Sequence, residues 1–568
     1  VVATTATTWD SLFAVHAPAA LAAPTSRAYH DAVRKMLDGL GDALTTVRLT
    51  EAAPTSRASG RTTPVSANAP LYDLRGRTPR DTAYLRAHTS LRSLLDAGAR
   101  PPQHVLAYHG LPSMAGATSG SYSFTWEVQS PSRPAPAPAE IPVVSLLVDA
   151  RTVLPIEWQE AVSLGRLHLV GVDTRTVSLD APTYSLSLGE GAVALVRLGK
   201  SASLGVALAV DSTVPSADAP ALLRGKAAPR APSSRPVADR AVHAGLTKPA
   251  LPSNTSPAFA ADYPEIGYRL LAAARMWSTY DHFSPYKHRF DAPWSAVLAR
   301  VLPLVEQSRN SLEFGQAVAR IAAATNDGHS SFASPSMGRS FQPGFPLPVR
   351  AQFIDGQLLV IRPGMAGGTA TDVARGDRIL EVDGVTVAEL VARFAPYVAA
   401  STPQGRDYVL TQRVLGGRAG EASTLLLGKP DGSTKRVRVE RDKTYDANRF
   451  NLRGGGIIRM LPGNIGYVDL ERLPLDRRDS VYRALSGASA IIFDMRGYPQ
   501  GTGFHLGPWV AKDAQPKPTA HFDRPERPSP DSTTNTVFPF DQTLPAATRP
   551  RFAGKTVMLI DEHAVSQS

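Results

Sequence analysis

The sequence predicts a multidomain protein that combines α/β and β parts. Its 568 residues exceed what one hydrophobic core usually organises, so three or more domains are expected. Residues 259–332 carry apolar side chains at three- and four-residue spacing, which predicts a helical domain. After Phe341 short apolar segments alternate with turns, and residues 456–568 follow the order strand, helix, strand, strand. That order indicates an α/β core.

The composition excludes several functional classes. The chain has no cysteine, which excludes disulfides, thiol catalysis and thiolate metal sites. No segment approaches the roughly 20 apolar residues of a membrane helix, so no membrane span is expected. The net charge of +11 comes mostly from single, scattered arginines, which favours a compositional bias over a nucleic-acid partner. The chain begins on Val rather than Met, so a signal peptide either has been removed or was never included. We expect a periplasmic or extracellular protein, with the cytoplasm as the alternative.

The helical domain ends in a candidate general base. Its segment "SLEFGQAVARIAAAT" leads directly into "NDGHSSF", which places His329 after the C-terminus of a helix. A histidine in that position often only interacts with the helix dipole. It is nevertheless the most attractive base for a serine hydroxyl in this chain. His282 and His288 lack metal-ligand spacing with a carboxylate, so a structural role is expected for both.

Residues 342–442 predict a small β domain. The stretch "ARGDRILEVDGVTV" follows "DGQLLVIRPG", so that a Gly-Asp turn feeds an apolar strand and an Asp-Gly turn leads into the next one. These segments resemble a PDZ domain. The resemblance implies that an extended peptide binds along a sheet edge, although the usual Gly-Leu-Gly-Phe type loop is not found in the sequence.

The most specific motifs lie in the α/β core. "AIIFDMRGYPQG" (490–501) is a strand followed by a loop, and "VMLIDEHAVSQS" (557–568) is a strand, predicted to be buried, that delivers a serine to a turn. The two segments resemble the Asp-Leu-Arg-Gly-Asn-Pro-Gly-Gly loop and the nucleophile turn of the S41 serine peptidases, the family of C-terminal processing and tricorn-type proteases. The resemblance implies an α/β core of the ClpP/crotonase-like type.

The same resemblance implies a mechanism. By motif position Ser566 is the nucleophile, and the backbone N–H groups of Gln567 and Gly501 stabilise the oxyanion. The Asp-Gly-His segment is similar to that of the tricorn-like branch, which implies His329 as the base. The expected activity is that of a serine endopeptidase acting through an acyl-enzyme on a peptide or protein substrate, without metal or cofactor.

Two alternatives remain open. The other branch of the family uses a Ser–Lys dyad, with the lysine about 25 residues after the serine and therefore beyond Ser568. The protein could also be a catalytically inactive S41-fold protein that binds a peptide or another ligand.

Residues 1–212 resemble a second, noncatalytic copy of the same plan, joined through a Pro/Ala-rich linker at 213–258. "LYDLRG" (71–76) matches "IIFDMRG", and "SLLVDARTVLPI" (145–156) matches the nucleophile segment. We therefore expect Asp73 and Asp149 at the ends of adjacent parallel strands. In this copy Leu154 stands where Ser566 does, Leu44 stands where His329 does, and Arg80 lies near the position of Gly501. Two leucines cannot perform acyl transfer.

The copy also predicts an extent for the active core. About 58 residues separate Leu154 from the end of the first copy at Ser212. By this comparison the active core continues past Ser568. We therefore expect a polypeptide of residues 1–568 alone to be inactive, with residues 564–568 mobile and Ser566 beyond hydrogen-bond reach of His329.

Overall fold

The structure is a computed structural model. It describes residues 6–49, 71–78, 104–110, 123–129, 143–155, 158, 165–181, 183–201, 207–224, 241–242, 261–340, 345–363, 365–366, 369–370, 372–418, 420–441, 453–511, 518–527 and 536–564. The chain divides into two compact units. The first comprises Val1–Ala260, Pro264–Leu271 and Glu526–Thr536, and the second comprises Ala261–Tyr263, Ala272–Pro525 and Val537–Ser568.

The first unit is built mainly of strands. Its helices are α1 (Ala6–Leu21), α2 (Ser26–Asp38) and α3 (Ala219–Leu223). Its strands are β1 (Thr46–Leu49), β2 (Leu71–Asp73), β3 (His104–Gly110), β4 (Ser123–Gln129), β5 (Val144–Val148), β6 (Val153–Leu154), β7 (Leu167–Val172), β8 (Thr176–Leu179), β9 (Thr183–Gly189), β10 (Ala192–Arg197), β11 (Gly199–Ser201), β12 (Ala207–Ala209), β13 (Ser212–Val214) and β14 (Ala241–Val242).

A parallel sheet in the order β13-β7-β5-β2 forms the centre of this unit. Every residue of β5 and β7 is buried, as expected for strands covered on both faces. Asp73 ends β2, and Asp149 directly follows β5, its parallel neighbour. The expected placement of these two aspartates is therefore confirmed. Within the range predicted to be a linker, β13 extends the sheet and α3 buries Ala219 and Leu222 against it.

The second unit begins with helices. They are α4 (Ile266–Phe283), which runs from the first unit into the second, α5 (Trp294–Gln307), α6 (Ser311–Ala323) and α7 (Pro335–Ser340). The indoles of Trp277 and Trp294 stack with centroids 6.4 Å apart, and each N–H donates to the other residue's carbonyl oxygen. Asn310 caps α6 by accepting from the Glu313 N–H at 2.9 Å. The predicted helical character of this region is thus present.

The middle of the second unit is an antiparallel sheet with helices against it. Its elements are β15 (Phe345–Pro346), β16 (Val349–Ile354), β17 (Gln357–Pro363), β18 (Met365–Ala366), β19 (Thr369–Ala370), β20 (Arg378–Val382), β21 (Val385–Thr386), α8 (Val387–Phe394), α9 (Pro403–Leu415), β22 (Gly416–Gly417), β23 (Ala422–Gly428) and β24 (Thr434–Glu440). Strands β16, β17, β20, β23 and β24 lie in the region after Phe341 where short apolar segments are predicted to alternate with turns. A capping box between Thr386 and Glu389 starts α8.

The last part of the second unit is α/β. Its elements are β25 (Ile458–Leu461), β26 (Ile465–Asp469), α10 (Arg478–Leu485), β27 (Ala490–Asp494), α11 (Gly503–Val510), β28 (Pro518–Arg527), β29 (Thr536–Thr543) and β30 (Lys555–Leu559). Strands β26, β27 and β30 are parallel neighbours, with β25 antiparallel at the β26 edge.

The prediction that the strand at 557–560 is buried is wrong for the side chains that the structure describes. Val557, Met558 and Ile560 are 53%, 52% and 63% exposed. The reason is position, because β30 is the edge strand of the described sheet, and no described strand pairs with its outer side. None of the described helices is long and apolar enough to cross a membrane.

Candidate active site

The loop after β27 is held by an arginine–aspartate pair. Asp494, the last residue of β27, is fully buried. Arg496 donates from Nε to Oδ1 at 2.9 Å and from a terminal nitrogen to Oδ2 at 2.6 Å, and the Tyr467 hydroxyl donates to Oδ2 at 2.7 Å. Burial alone would raise the pKa of Asp494, but these hydrogen bonds and the Arg453 charge lower that pKa to about 2. The carboxylate is therefore ionised.

A second buried carboxylate lies beside the first. Asp469 ends β26 and is the register partner of Asp494. Arg453 bridges the two, with Nε 2.8 Å from Asp469 Oδ2 and a terminal nitrogen 3.3 Å from Asp494 Oδ1. Arg472 donates to Asp469 at 3.0 Å. Together with Arg496, three guanidinium groups neutralise two carboxylates and fix the ends of β26 and β27.

Asp561 connects this loop to the turn after β30. Its Oδ1 accepts from the Gly497 N–H at 3.2 Å and from the His563 N–H at 3.0 Å. The imidazole Nδ1 of His563 lies 2.9 Å from the same oxygen, and the side chain is only 5% exposed. Burial would raise the pKa of Asp561, but the interactions with His563 outweigh burial and lower it. One ionised oxygen thus joins two loops.

Two glycines shape the loop between β27 and α11. Gly497 has a φ of +112°, and a Cβ there would lie 2.4 Å from Cδ of Glu471. Gly501 has a φ of +75° in open space, and its N–H donates to no acceptor among the described residues. The loop therefore presents an available donor at Gly501 and a tightly packed backbone at Gly497.

The first unit contains the same arrangement. Arg75 donates to both oxygens of Asp73, at 2.9 Å and 2.7 Å, and Asp149 Oδ1 accepts from the Gly76 N–H at 2.9 Å. The strand register is also the same in both units. Asp73 pairs with Leu147, two residues before Asp149, and Asp494 pairs with Leu559, two residues before Asp561. Because both units share this hydrogen-bonded turn, its contribution to stability is sufficient to explain why it is present.

The units differ where chemistry is expected. Leu154 and Leu44, which the sequence comparison places opposite Ser566 and His329, are 1% and 4% exposed and pack in hydrophobic clusters. Arg151 follows Asp149 by two residues, as His563 follows Asp561, and therefore occupies the equivalent position. Arg80, the counterpart of Gly501, lies outside the described residues.

His329 lies in an exposed turn after α6. Its side chain is 61% exposed, its N–H donates to Asp327 Oδ1 at 2.9 Å, and Nδ1 lies 3.3 Å from the same oxygen. Asn326, with a φ of +52°, starts the turn. A carboxylate that accepts from Nδ1 leaves Nε2 as a proton acceptor, which is the arrangement that a general base requires.

One short segment contacts both candidate turns. The Ser401 hydroxyl accepts from the Gly328 N–H at 3.2 Å, next to His329. The ring of Tyr408, in the second turn of α9, meets His563 edge-on with centroids 4.4 Å apart. The seven residues from the N-cap Thr402 to Tyr408 correspond to about 10 Å along the helix axis. The segment 401–408 thus brings the turn of the candidate base and the turn that leads to the candidate nucleophile to neighbouring places.

Ser566 and Gln567 lie outside the described residues, whose last member is Ala564. Sequence reasoning missed two residues beside the turn. His563 repeats the Asp-x-His pattern of Asp327 and His329, with the same backbone hydrogen bond to the aspartate. Glu471, 9% exposed, packs against Gly497, and burial raises its pKa. The repeated Asp-x-His pattern was a usable signal for His563, whereas no motif indicates Glu471.

Among the described residues, one group could hold a metal ion, because its ligand atoms lie within 4.8 Å of one another. It consists of Asp561, Glu562 and His563. Asp561 Oδ1, however, already accepts from two backbone N–H groups. These bonds account for the position of its carboxylate without an ion.

No protein-family model matches the chain, and no curated protein matches it. Several solved structures are similar over about half of it. A CPAF mutant is 13% identical over 52% of this chain and 79% of its own, with a TM-score of 0.39. The photosystem II D1 C-terminal processing protease is 15% identical over 51% and 74%, with a TM-score of 0.30. A Bacteroides fragilis protein named as an S41 protease is 12% identical over 50% and 71%, with a TM-score of 0.21. Because these TM-scores are below 0.5, the proposal below rests on the residues of this chain.

Proposed function

We propose that the second unit carries the active site of an S41-type serine peptidase. Ser566 is the nucleophile, His329 is the base, and the N–H groups of Gly501 and Gln567 bind the oxyanion. The observation that carries the proposal is the pair of contacts made by segment 401–408. Through Gly328 and through His563, this segment connects the turn of the base with the turn that precedes the serine.

The reaction follows from these roles. His329 Nε2 takes the proton from the Ser566 hydroxyl while Asp327 holds Nδ1, and the serine oxygen attacks the substrate carbonyl carbon. The negative charge on the carbonyl oxygen is stabilised by the two backbone donors. The carbon–nitrogen bond then breaks, and His329 gives the proton to the leaving amine. Water repeats the attack on the acyl-enzyme, and the acid is released.

The arginine–aspartate pair and Asp561 act as positioning groups. They hold the Gly497 end of the loop that carries Gly501, so that the donor does not reorganise during the reaction. Preorganised donors contribute about 3 to 4 kcal/mol each in acyl transfer. The first unit retains this support, but the sequence comparison matches Leu154 to Ser566, so we assign the first unit no catalytic role.

Labelling with a fluorophosphonate probe tests the proposal. The protein expressed from its complete gene should be labelled, and Ser566→Ala and His329→Ala should each abolish the labelling. His288→Ala is the matched control, because His288 is exposed and belongs to neither turn. Labelling that survives His329→Ala would favour the Ser–Lys mechanism. A folded protein that is never labelled would be the inactive, ligand-binding alternative.

A further inference from the structure

A large cleft lies beside the turn of His329. Its volume is about 1860 Å³, and its walls are the C-terminal ends of α4 and α6, the middle of α5, and residues of the segments 284–292, 395–406 and 521–522. Asp327 and Ser330, which flank His329 in sequence, both line it. A ligand in this cleft therefore lies next to the candidate base.

The cleft offers aromatic surface. Five aromatic side chains line it: Tyr280, Phe283, Tyr286, Phe290 and Phe522. The Tyr286 hydroxyl accepts from the Asp523 N–H at 2.9 Å, which fixes one wall to β28. Phe522 is 43% exposed. Aromatic side chains supply large contact areas at low cost in conformational entropy, which suits the binding of an extended peptide.

The cleft also carries unneutralised positive charge. Four arginines line it: Arg289, Arg300, Arg320 and Arg406. No carboxylate lies within ion-pair distance of any of the four among the described residues, whereas Arg320 stacks over the Tyr397 ring at 5.1 Å. The acidic lining residues are Asp291 and Asp327, and Asp327 is engaged by His329. The lining therefore has more cationic than anionic side chains.

We infer that this cleft binds an acidic, aromatic-containing segment of polypeptide, so that the substrates of the proposed peptidase are acidic peptides or proteins. Guanidinium groups bind carboxylates through paired hydrogen bonds, and a partly enclosed cleft strengthens such pairs relative to bulk water. The substrate role of the bound segment rests on the proposed function, whereas its binding does not require catalysis.

Fluorescence anisotropy of the Ser566→Ala protein measures binding without turnover. The probe is a fluorescein-labelled peptide of alternating Glu and Phe residues, and the comparison peptide has Gln in place of every Glu. We expect the acidic peptide to bind at least 10-fold more tightly at low salt and to lose most of this advantage in 0.5 M NaCl. The double variant Arg300→Ala/Arg406→Ala should weaken its binding at least 10-fold. Arg438→Ala, which removes an exposed arginine of β24 outside the cleft, should not.

The outcomes separate this inference from the proposed function. Equal binding of the two peptides, or no effect of the double variant, would overturn the inference. Equally tight binding of a single-stranded oligonucleotide of the same charge would overturn it too, because the cleft would then be a general polyanion site.

Since Arg300 and Arg406 are exposed, their variants should fold, which thermal melting checks. Acidic-peptide binding by a protein that fluorophosphonate does not label supports the site but contradicts the peptidase. Labelling without acidic preference contradicts only the inference.

Discussion

Asp561 accepts a hydrogen bond from the backbone of Gly497 at 3.2 Å, across 64 residues of sequence. The bond joins the loop of Gly501 to the turn that leads to Ser566. Asp149 and Gly76 form the same bond in the first unit, at 2.9 Å. The turn of Asp149 can therefore serve as an internal control, because the proposed function assigns the turn of Asp561 to catalysis and the turn of Asp149 to structure alone.

The first prediction uses this control. Asp561→Ala should lower fluorophosphonate labelling about 100-fold, because small misplacements of reacting groups cost roughly that factor. Its cost in stability should be about 1 to 3 kcal/mol, the effect of losing hydrogen bonds to a partly buried carboxylate. Asp149→Ala should have a similar cost in stability and leave labelling unchanged. If the two variants reduced labelling equally, Asp561 would have no special part in the site.

The second prediction concerns the backbone at Gly497. Gly497→Ala places a Cβ 2.4 Å from Cδ of Glu471 at a φ of +112°, so it should destabilise the second unit by about 2 to 4 kcal/mol. Gly501→Ala meets open space at a φ of +75° and should cost only about 1 kcal/mol. Urea unfolding of both variants measures the difference. The double variant Gly497→Ala/Glu471→Ala should recover part of the loss, and a purely additive result would show that the contact is not its cause.

The third prediction concerns acid stability. The pKa of Asp494 is about 2 in the folded protein, below its ordinary value of 3.8, so its contribution to stability is complete above pH 5. That contribution, about 2 kcal/mol, should be lost as the pH falls from 4 through 2. Asp494→Asn should therefore remove this part of the acid dependence in urea unfolding at pH 5, 3 and 2. Asp73→Asn is the matched control, because the Asp73 side chain is 34% exposed and its pair with Arg75 contributes less than about 1 kcal/mol.

An unchanged acid dependence in Asp494→Asn would contradict this assignment. The loss would then arise from other carboxylates, of which Asp469, whose pKa is also lowered despite its burial, is the first to test.

The fourth prediction concerns the contact between α9 and the turn after β30. Tyr408→Ala removes the ring that meets His563 edge-on and should lower labelling about 10-fold with a small effect on stability. Tyr408→Phe retains the ring and should label like the unchanged protein. Equal labelling by the Phe and Ala variants would show that segment 401–408 does not align the two turns.

The sequence predicted those features that depend on local pattern. The match between the aspartate-containing segments of the two copies was enough to place Asp73 and Asp149 at the ends of neighbouring parallel strands, because the same hydrogen-bonded turn requires the same residues in both units. The sequence could not predict the exposure of Val557 and Met558, since an apolar run does not show which strand lies at a sheet edge.

The missed site residues have a different cause. Glu471 reaches Gly497 only through the tertiary fold, and neither residue type nor spacing indicates that contact. His563 has the local pattern of His329, but its burial against Tyr408 depends on a helix more than 150 residues earlier in the chain. The roles of Ser566 and His329 remain predictions that labelling can test.

The last prediction distinguishes the two histidines by chemical rescue. His329 is 61% exposed, so His329→Ala leaves a space that solvent can reach, and added imidazole should restore part of the labelling. His563 is 5% exposed, with Nδ1 against Asp561 and its ring against Tyr408, and we expect it to act as a positioning residue. His563→Ala should lower labelling 10- to 100-fold, and imidazole should not restore it, because the cavity is closed and the lost function is alignment. The measurement is the labelling rate of each variant with and without 100 mM imidazole. Rescue of His563→Ala, together with full labelling of His329→Ala, would make His563 the base in place of His329.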